Sequence, residues 1–287
     1  MLHGIHTALV TPFTASGAVD VPALERLCAR QVDAGVHGLV AVGTTGEAPT
    51  LDDDEQALVV ATTLAVAAGR VPVMAGVGTN STRSTVRKVA RAAEQGAAYG
   101  LLVLPYYNKP NPPGLMAHVQ AAAGVGLPLV LYHVPGRTGQ RLAPSELASL
   151  AGVPGVVAVK EATGDVRYTS DLLAACARPV SVLSGDDFTF LGALAQGAAG
   201  CISVLSNVAP RETVQVFDDF RAGRVAEAAA GFSALWPLIT YLFTESNPVP
   251  CKAALAELGL CSGDLRLPLA ASTGPSPRPM LRALGLC

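Results

Sequence analysis

Residues 155–160 read Gly155-Val156-Val157-Ala158-Val159-Lys160, an apolar run that ends on an amine. The chain has four lysines, at positions 88, 109, 160 and 252, and Lys160 is the one whose local sequence predicts a desolvated end. A free lysine titrates at about 10.4, and only the neutral amine attacks a carbonyl. Desolvation is the usual way to make that form available. Lys160 is therefore a candidate for imine chemistry. The competing reading is a strand-end lysine whose head reaches water.

Five other segments place polar residues directly after an apolar run. Gly43-Thr44-Thr45-Gly46-Glu47 combines glycines, which let a backbone approach a ligand, with two adjacent hydroxyls. With a helix expected to start near Asp52, it reads as a carboxylate site or as an ordinary Gly-rich turn. Aromatic residues are 5% of the chain, so the pair Tyr106-Tyr107 stands out; it can relay protons or pack. In Tyr132-His133-Val134-Pro135-Gly136-Arg137-Thr138-Gly139, strand alternation sends Tyr132 and His133 to opposite faces. Arg137, in a loop, can hold a carboxylate in a bidentate fork or lie in solvent. By the same alternation Glu161 points away from Lys160. In Ser184-Gly185-Asp186-Asp187 the carboxylates read as helix caps rather than an acid/base pair. Ser203-Val204-Leu205-Ser206-Asn207 is the fifth. Lys252, at the start of a late helix, reads as a capping or packing lysine. No G-x-S-x-G or phosphate-loop pattern occurs.

These segments need elements to carry them. Nearly continuous apolar runs fall at 7–11, 38–42, 71–75, 100–104, 127–132, 155–160, 179–184 and 200–204. Such runs fit strands buried on both faces of a parallel sheet. Alanine-rich stretches with a period near 3.6, including 21–34, 53–68, 84–95 and 188–196, lie between them. Eight strand–helix units predict an α/β fold, a (β/α)8 TIM barrel, with an open doubly wound sheet as the alternative. After the eighth strand only helical patterns remain, at 214–220, 226–243 and 249–258. The expected organisation is a catalytic barrel over 1–224 and a C-terminal helical appendage over 225–287. Barrels of this kind do their chemistry at the C-terminal ends of the strands, where the polar segments above fall.

Composition narrows the function further. The chain has 287 residues, half of them hydrophobic, and a formal net charge of −2. No basic run is long enough to follow a nucleic acid backbone. The apolar stretch 231–243 is shorter than the roughly 20 residues a membrane span needs. The N-terminal residues carry no basic patch followed by an apolar core, so a cytoplasmic protein is expected. Six scattered cysteines form no C-x-x-C, and they read as reduced thiols.

Taken in register, Gly43-Thr44-Thr45-Gly46-Glu47, Pro105-Tyr106-Tyr107-Asn108, 132–139, Lys160-Glu161-Ala162-Thr163-Gly164 and Asn247-Pro248-Val249-Pro250 resemble the dihydrodipicolinate synthase / N-acetylneuraminate lyase family of Schiff-base barrels. The likeness covers nearly the whole chain, and Gly136-Arg137-Thr138-Gly139 resembles the synthase branch. It implies condensation of pyruvate with L-aspartate 4-semialdehyde through a lysine Schiff base, the step that opens diaminopimelate and lysine biosynthesis, with no cofactor and no metal. Lys160 would form the imine, and Tyr132 would move protons in a relay with Thr44 and Tyr107. Thr45 and the backbone at Ile202 would contact pyruvate, Arg137 the carboxylate of the semialdehyde, and Gly185 would be a further substrate-binding residue. The resemblance further implies that Tyr107 reaches across a subunit interface, hence a homodimer or homotetramer. The alternative within the family is a pyruvate-dependent aldolase for a keto-deoxy sugar acid or N-acetylneuraminate.

The chain departs from the family in places. His133 stands where asparagine is usual. Ala48, Asp53, Gln56 and Ser84 stand where lysine-sensitive relatives tend to carry serine, two histidines and glutamate, whereas Asn80 and Tyr106 remain. Inhibition by lysine is therefore expected to be weak or absent. Steady-state assays across a lysine titration check this, and half-inhibition at sub-millimolar lysine would refute it.

Overall fold

The computed structural model describes residues 1–287. Its strands are β1 (Gly4–Ala8), β2 (Gly38–Ala41), β3 (Val73–Gly76), β4 (Tyr99–Val103), β5 (Leu129–His133), β6 (Val156–Glu161), β7 (Ser181–Ser184) and β8 (Gly200–Ser203). They neighbour one another in chain order and close into a (β/α)8 barrel. Nearly every strand residue is buried, which is why the runs are continuous rather than alternating.

β1 begins three residues before the expected run at 7–11. His6 and Thr7 lie inside it and mask its apolar character. Both are buried. Thr7 donates to Gln31 Oε1 at 2.8 Å and accepts from the Ser206 hydroxyl at 2.9 Å, so no lone polar group is stranded.

Two compact units divide the chain. One comprises Met1–Gly4 with Met74–Ile202 and the other Ile5–Val73 with Ser203–Cys287. In the first, parallel pairing of β5 with β6 sets Tyr132 beside Lys160 and His133 beside Glu161, and pairing of β6 with β7 sets Lys160 beside Leu183. Successive residues face opposite ways. Tyr132 and Lys160 thus share one face, and His133 and Glu161 share the other.

In the second unit β1 pairs with β2, His6 beside Gly38. A Cβ on Gly38 would lie 2.1 Å from His6 Nδ1, so only glycine fits there. The late helices Pro210–Arg221, Val225–Leu242, Val249–Glu257 and Arg278–Ala283 also belong to this unit. By length and composition Val225–Leu242 could cross a membrane. Here Leu235, Leu238, Ile239 and Leu242 are buried at helical spacing, as in a helix that packs by one face.

The face opposite Lys160 holds a buried polar group. The His133 ring stacks on Tyr168 at 5.7 Å, and neither of its nitrogens has a hydrogen-bond partner. Burial, reinforced by the nearby Arg141 charge, pushes its pKa from 6.5 down to about 4. Burial also raises Glu161, although that carboxylate accepts from the Thr163 amide at 2.5 Å and the Thr169 hydroxyl at 3.2 Å. Because the His133 value is depressed on folding, the unfolded chain takes up the proton first as pH falls. Its neutral ring therefore contributes stability in full above about pH 6.5. That contribution, about 3 kcal/mol, is lost as pH falls toward about 4. His133→Asn is expected to flatten the stability–pH curve across this window. Denaturant unfolding at pH 7, 5.5 and 4.5 checks it, and a parallel slope in variant and parent would contradict the assignment.

Candidate active site

Lys160 and Tyr132 form the centre of the first unit's polar strand ends. Each is 6% exposed, and Lys160 Nζ lies 4.1 Å from the centroid of the Tyr132 ring. An amine over an aromatic face is held electrostatically and kept from water. Gly185, directly after β7, makes room for the lysine. A Cβ there would lie 2.8 Å from Lys160 Cε, 3.0 Å from Lys160 Cγ and 2.8 Å from Ala162 Cβ. The Gly185 amide donates to Glu161 O at 2.6 Å, which ties its backbone down. Ile202 lies on β8, buried. Asp186 accepts from the Thr189 hydroxyl at 2.9 Å and closes the turn before the helix Phe190–Ala195, and Asp187 is buried beside the Cys201 thiol. Burial and the Asp187 charge push that thiol well up.

In the second unit the turn after β2 is tightly specified. Gly43 O accepts from the Gly46 and Ala48 amides, and Thr44 O from the Glu47 amide. The amides of Thr44 and Thr45 take no part in these bonds. Val42 and Glu47, on either side of the turn, hold left-handed backbone at φ 48° and 53°. Each such residue costs about 1–3 kcal/mol, and a β-branched one is a true outlier. The surroundings hold the turn in place. Thr11 Oγ1 donates to Gly46 O at 2.7 Å. Asn247 Nδ2 donates to Thr45 Oγ1 at 2.8 Å. Glu47 pairs with Lys252 at 2.5 Å, both side chains wholly buried.

Two expectations change here. The helix Asp53–Ala67 does start where expected, but its N-terminus is closed by the chain itself: Asp52 accepts from the Asp54 and Glu55 amides, and Glu55 from the Asp52 amide. It is not open to a ligand carboxylate, so only the turn's own amides and hydroxyls remain for one. Lys252 is no helix cap. It is an ion-paired core lysine that also donates to Asp264 O at 2.7 Å and lies 4.0 Å from the Phe13 ring centroid. Burial lowers its pKa, and the Glu47 carboxylate opposes that shift.

The remaining residues are peripheral within their own unit. Arg137 is exposed in the short helix Pro135–Thr138, not in an irregular loop. Tyr107 is 88% exposed at φ 72°, in a segment pinned by Asn108 Nδ2 to Asn80 O at 2.8 Å.

A model of the dihydrodipicolinate synthetase family matches residues 1–279. The chain belongs to this family. The 4-hydroxy-tetrahydrodipicolinate synthase of Pelobacter propionicus is 45% identical over 271 residues, covering 94% of this chain and 93% of that protein. Dihydrodipicolinate synthase from Thermotoga maritima has a TM-score of 0.97 and 38% identity over the whole of both chains. The chloride-inhibited dihydrodipicolinate synthase of Acinetobacter baumannii, complexed with pyruvate, has a TM-score of 0.95 and 40% identity over 100% of this chain and 99% of that one. Membership in the dihydrodipicolinate synthetase family makes the chain a Schiff-base-forming lyase of lysine and diaminopimelate biosynthesis.

Asn247 and the Glu47–Lys252 pair were not singled out as site residues from sequence. The one available signal was that Glu47 and Asn247 lie in two of the motifs shared with the family. The steric role of Gly185 against Lys160 yields a test. Gly185→Ala should displace the amine by about 1 Å, and a displacement of that size slows reaction about a hundredfold. Borohydride trapping of the adduct with a 2-oxo acid reads the rate; trapping at the parental rate would refute the contact.

Proposed function

We propose that this chain condenses pyruvate with L-aspartate 4-semialdehyde through an imine on Lys160. The observation that carries the reading is the buried Lys160 amine over the Tyr132 ring, on paired strand ends. The amine adds to C2 of pyruvate, and loss of water leaves a protonated imine. That cation withdraws electrons, so the methyl carbon loses a proton and becomes an enamine nucleophile. The enamine carbon attacks the aldehyde carbon. The substrate's own amine then adds to C2 and expels the Lys160 amine, closing the six-membered ring.

Tyr132 supplies and removes protons at the carbinolamine and imine, within a relay that includes Thr44 and Tyr107. The Thr45 hydroxyl and amide hold the pyruvate carboxylate. Ile202, through its backbone, completes the pyruvate contacts, and Gly185 is a further substrate-binding residue. Arg137 receives the carboxylate of the semialdehyde, and its exposed guanidinium suits a second substrate that arrives after the imine has formed. The 88% exposure of Tyr107 supports its use in a neighbouring subunit's relay, hence a homodimer or homotetramer. We place the enzyme in the cytoplasm. The alternative, an aldolase for a keto-deoxy sugar acid or N-acetylneuraminate, is not favoured: Arg137 suits a carboxylate, and the relatives above are named as synthases.

Turnover coupled to a downstream reductase and followed by nicotinamide oxidation is the test. Lys160→Ala should abolish both turnover and the borohydride-trapped adduct. Arg137→Ala should raise the KM for the semialdehyde about ten- to a hundredfold while pyruvate trapping stays at the parental level. Full activity in Lys160→Ala would end the imine mechanism.

A further inference from the structure

We propose that Asn247 is a positioning residue that sets the Thr45 hydroxyl as a hydrogen-bond donor toward the carboxylate of the 2-oxo acid. The proposal rests on the reading of Thr45 given above. Asn247 and Thr45 are both buried, and Asn247 Nδ2 donates to Thr45 Oγ1 at 2.8 Å across 202 residues of sequence. A threonine hydroxyl offers one proton and two lone pairs. With an amide N–H on one lone pair, the hydroxyl proton cannot point back at Asn247. It is directed elsewhere, and no acceptor in the chain takes it. A hydroxyl whose accepting side is occupied and whose proton is unclaimed is prepared to donate to an incoming anion.

The same segment supplies the rigidity this requires. Lys252, five residues after Asn247, is locked to Glu47, two residues after Thr45. The turn is thus gripped at two points by one stretch of chain, and the strained φ of Glu47 is held from the same side. The Asn247 amide therefore meets a hydroxyl that cannot turn away with its backbone. In the absence of Asn247, the hydroxyl proton would be free to rotate among its three staggered positions, and donation to the carboxylate would have to be selected from them.

The experiment is a double-mutant cycle between positions 247 and 45. Its primary readout is the pyruvate concentration giving half-maximal borohydride trapping of Lys160, which needs no aldehyde. Asn247→Ala should raise that concentration about fivefold, the effect of one hydrogen bond, with little change in KM for the semialdehyde. In a Thr45→Val background the same substitution should add nothing, because the group it acts through is gone. Asn247→Asp, nearly isosteric and able only to accept, should draw the Thr45 proton to itself and raise the concentration more than alanine does; it also serves if the alanine variant folds poorly. An effect of Asn247→Ala that persists undiminished in Thr45→Val would overturn the proposal, since it would mark a merely structural role. Equally, a large effect of Thr45→Val with none from either Asn247 variant would overturn it. If Thr45→Val itself leaves pyruvate trapping unchanged, the carboxylate role of Thr45 falls, and the role of Asn247 with it.

Discussion

The ion pair between Lys252 and Glu47 is the constraint on which the second unit is built. Neither side chain is exposed, and their charged atoms lie 2.5 Å apart. Two charges withdrawn from water are tolerable only when each meets its partner and the remaining donors are satisfied. Removing one partner from such a pair costs about 3–5 kcal/mol. Lys252 meets the condition with Asp264 O and the face of Phe13. Arg266 lies over the same ring, 4.5 Å from its centroid, and clamps Glu55 and the Gly17 and Thr50 carbonyls. Residues 47–55 are thereby fastened to residues 252–266. The late helical region is more than a cover, because it fixes the conformation of a turn two hundred residues earlier.

The strand ends around Lys160 and the turn around Thr45 use opposite means. Beyond a register irregularity at Leu129–Val130, the strands around Lys160 pair regularly. Adjacent strands in register bring Tyr132 beside the lysine, and the missing side chain at Gly185 provides the volume. Around Thr45 the backbone is irregular, with left-handed residues at Val42 and Glu47. That conformation survives because side chains from distant parts of the chain over-determine it. A nucleophile needs shelter and a fixed direction, which a sheet provides. A carboxylate site needs converging amides and hydroxyls, which a regular strand cannot offer because its amides are spent on pairing.

The extent to which this was legible in the sequence follows from the range of the interactions. The barrel was legible because burial on both faces writes itself locally, as apolar runs at a steady spacing. β1 was displaced because His6 and Thr7 break the run, and their partners Gln31 and Ser206 lie far along the chain. Lys160 was legible as the polar end of an apolar run, the opposed faces of Tyr132 and His133 and of Lys160 and Glu161 from alternation, and the role of Tyr132 from resemblance. Asn247 and Lys252 were not, since neither a helix start nor a Pro-rich segment signals a hydrogen bond 202 residues away. Gly185 was placed among the substrate contacts by resemblance; that it also accommodates the lysine stem is a matter of distances that no sequence pattern encodes.

Gly185 has a consequence for how such a chain can diverge. The glycine is held by the lysine stem and by the Ala162 methyl together, so positions 160, 162 and 185 vary as a unit. A descendant that keeps the amine meets a clash at 185 on any exchange, however mild. One that abandons the imine is released from the lysine part of that restriction, and once position 162 gives way a side chain entering at 185 would fill the vacated space. Such a step is hard to retrace, because restoring the lysine alone would then meet an occupied site. The smallest residue in the barrel's polar rim would act as a ratchet against recovering the chemistry.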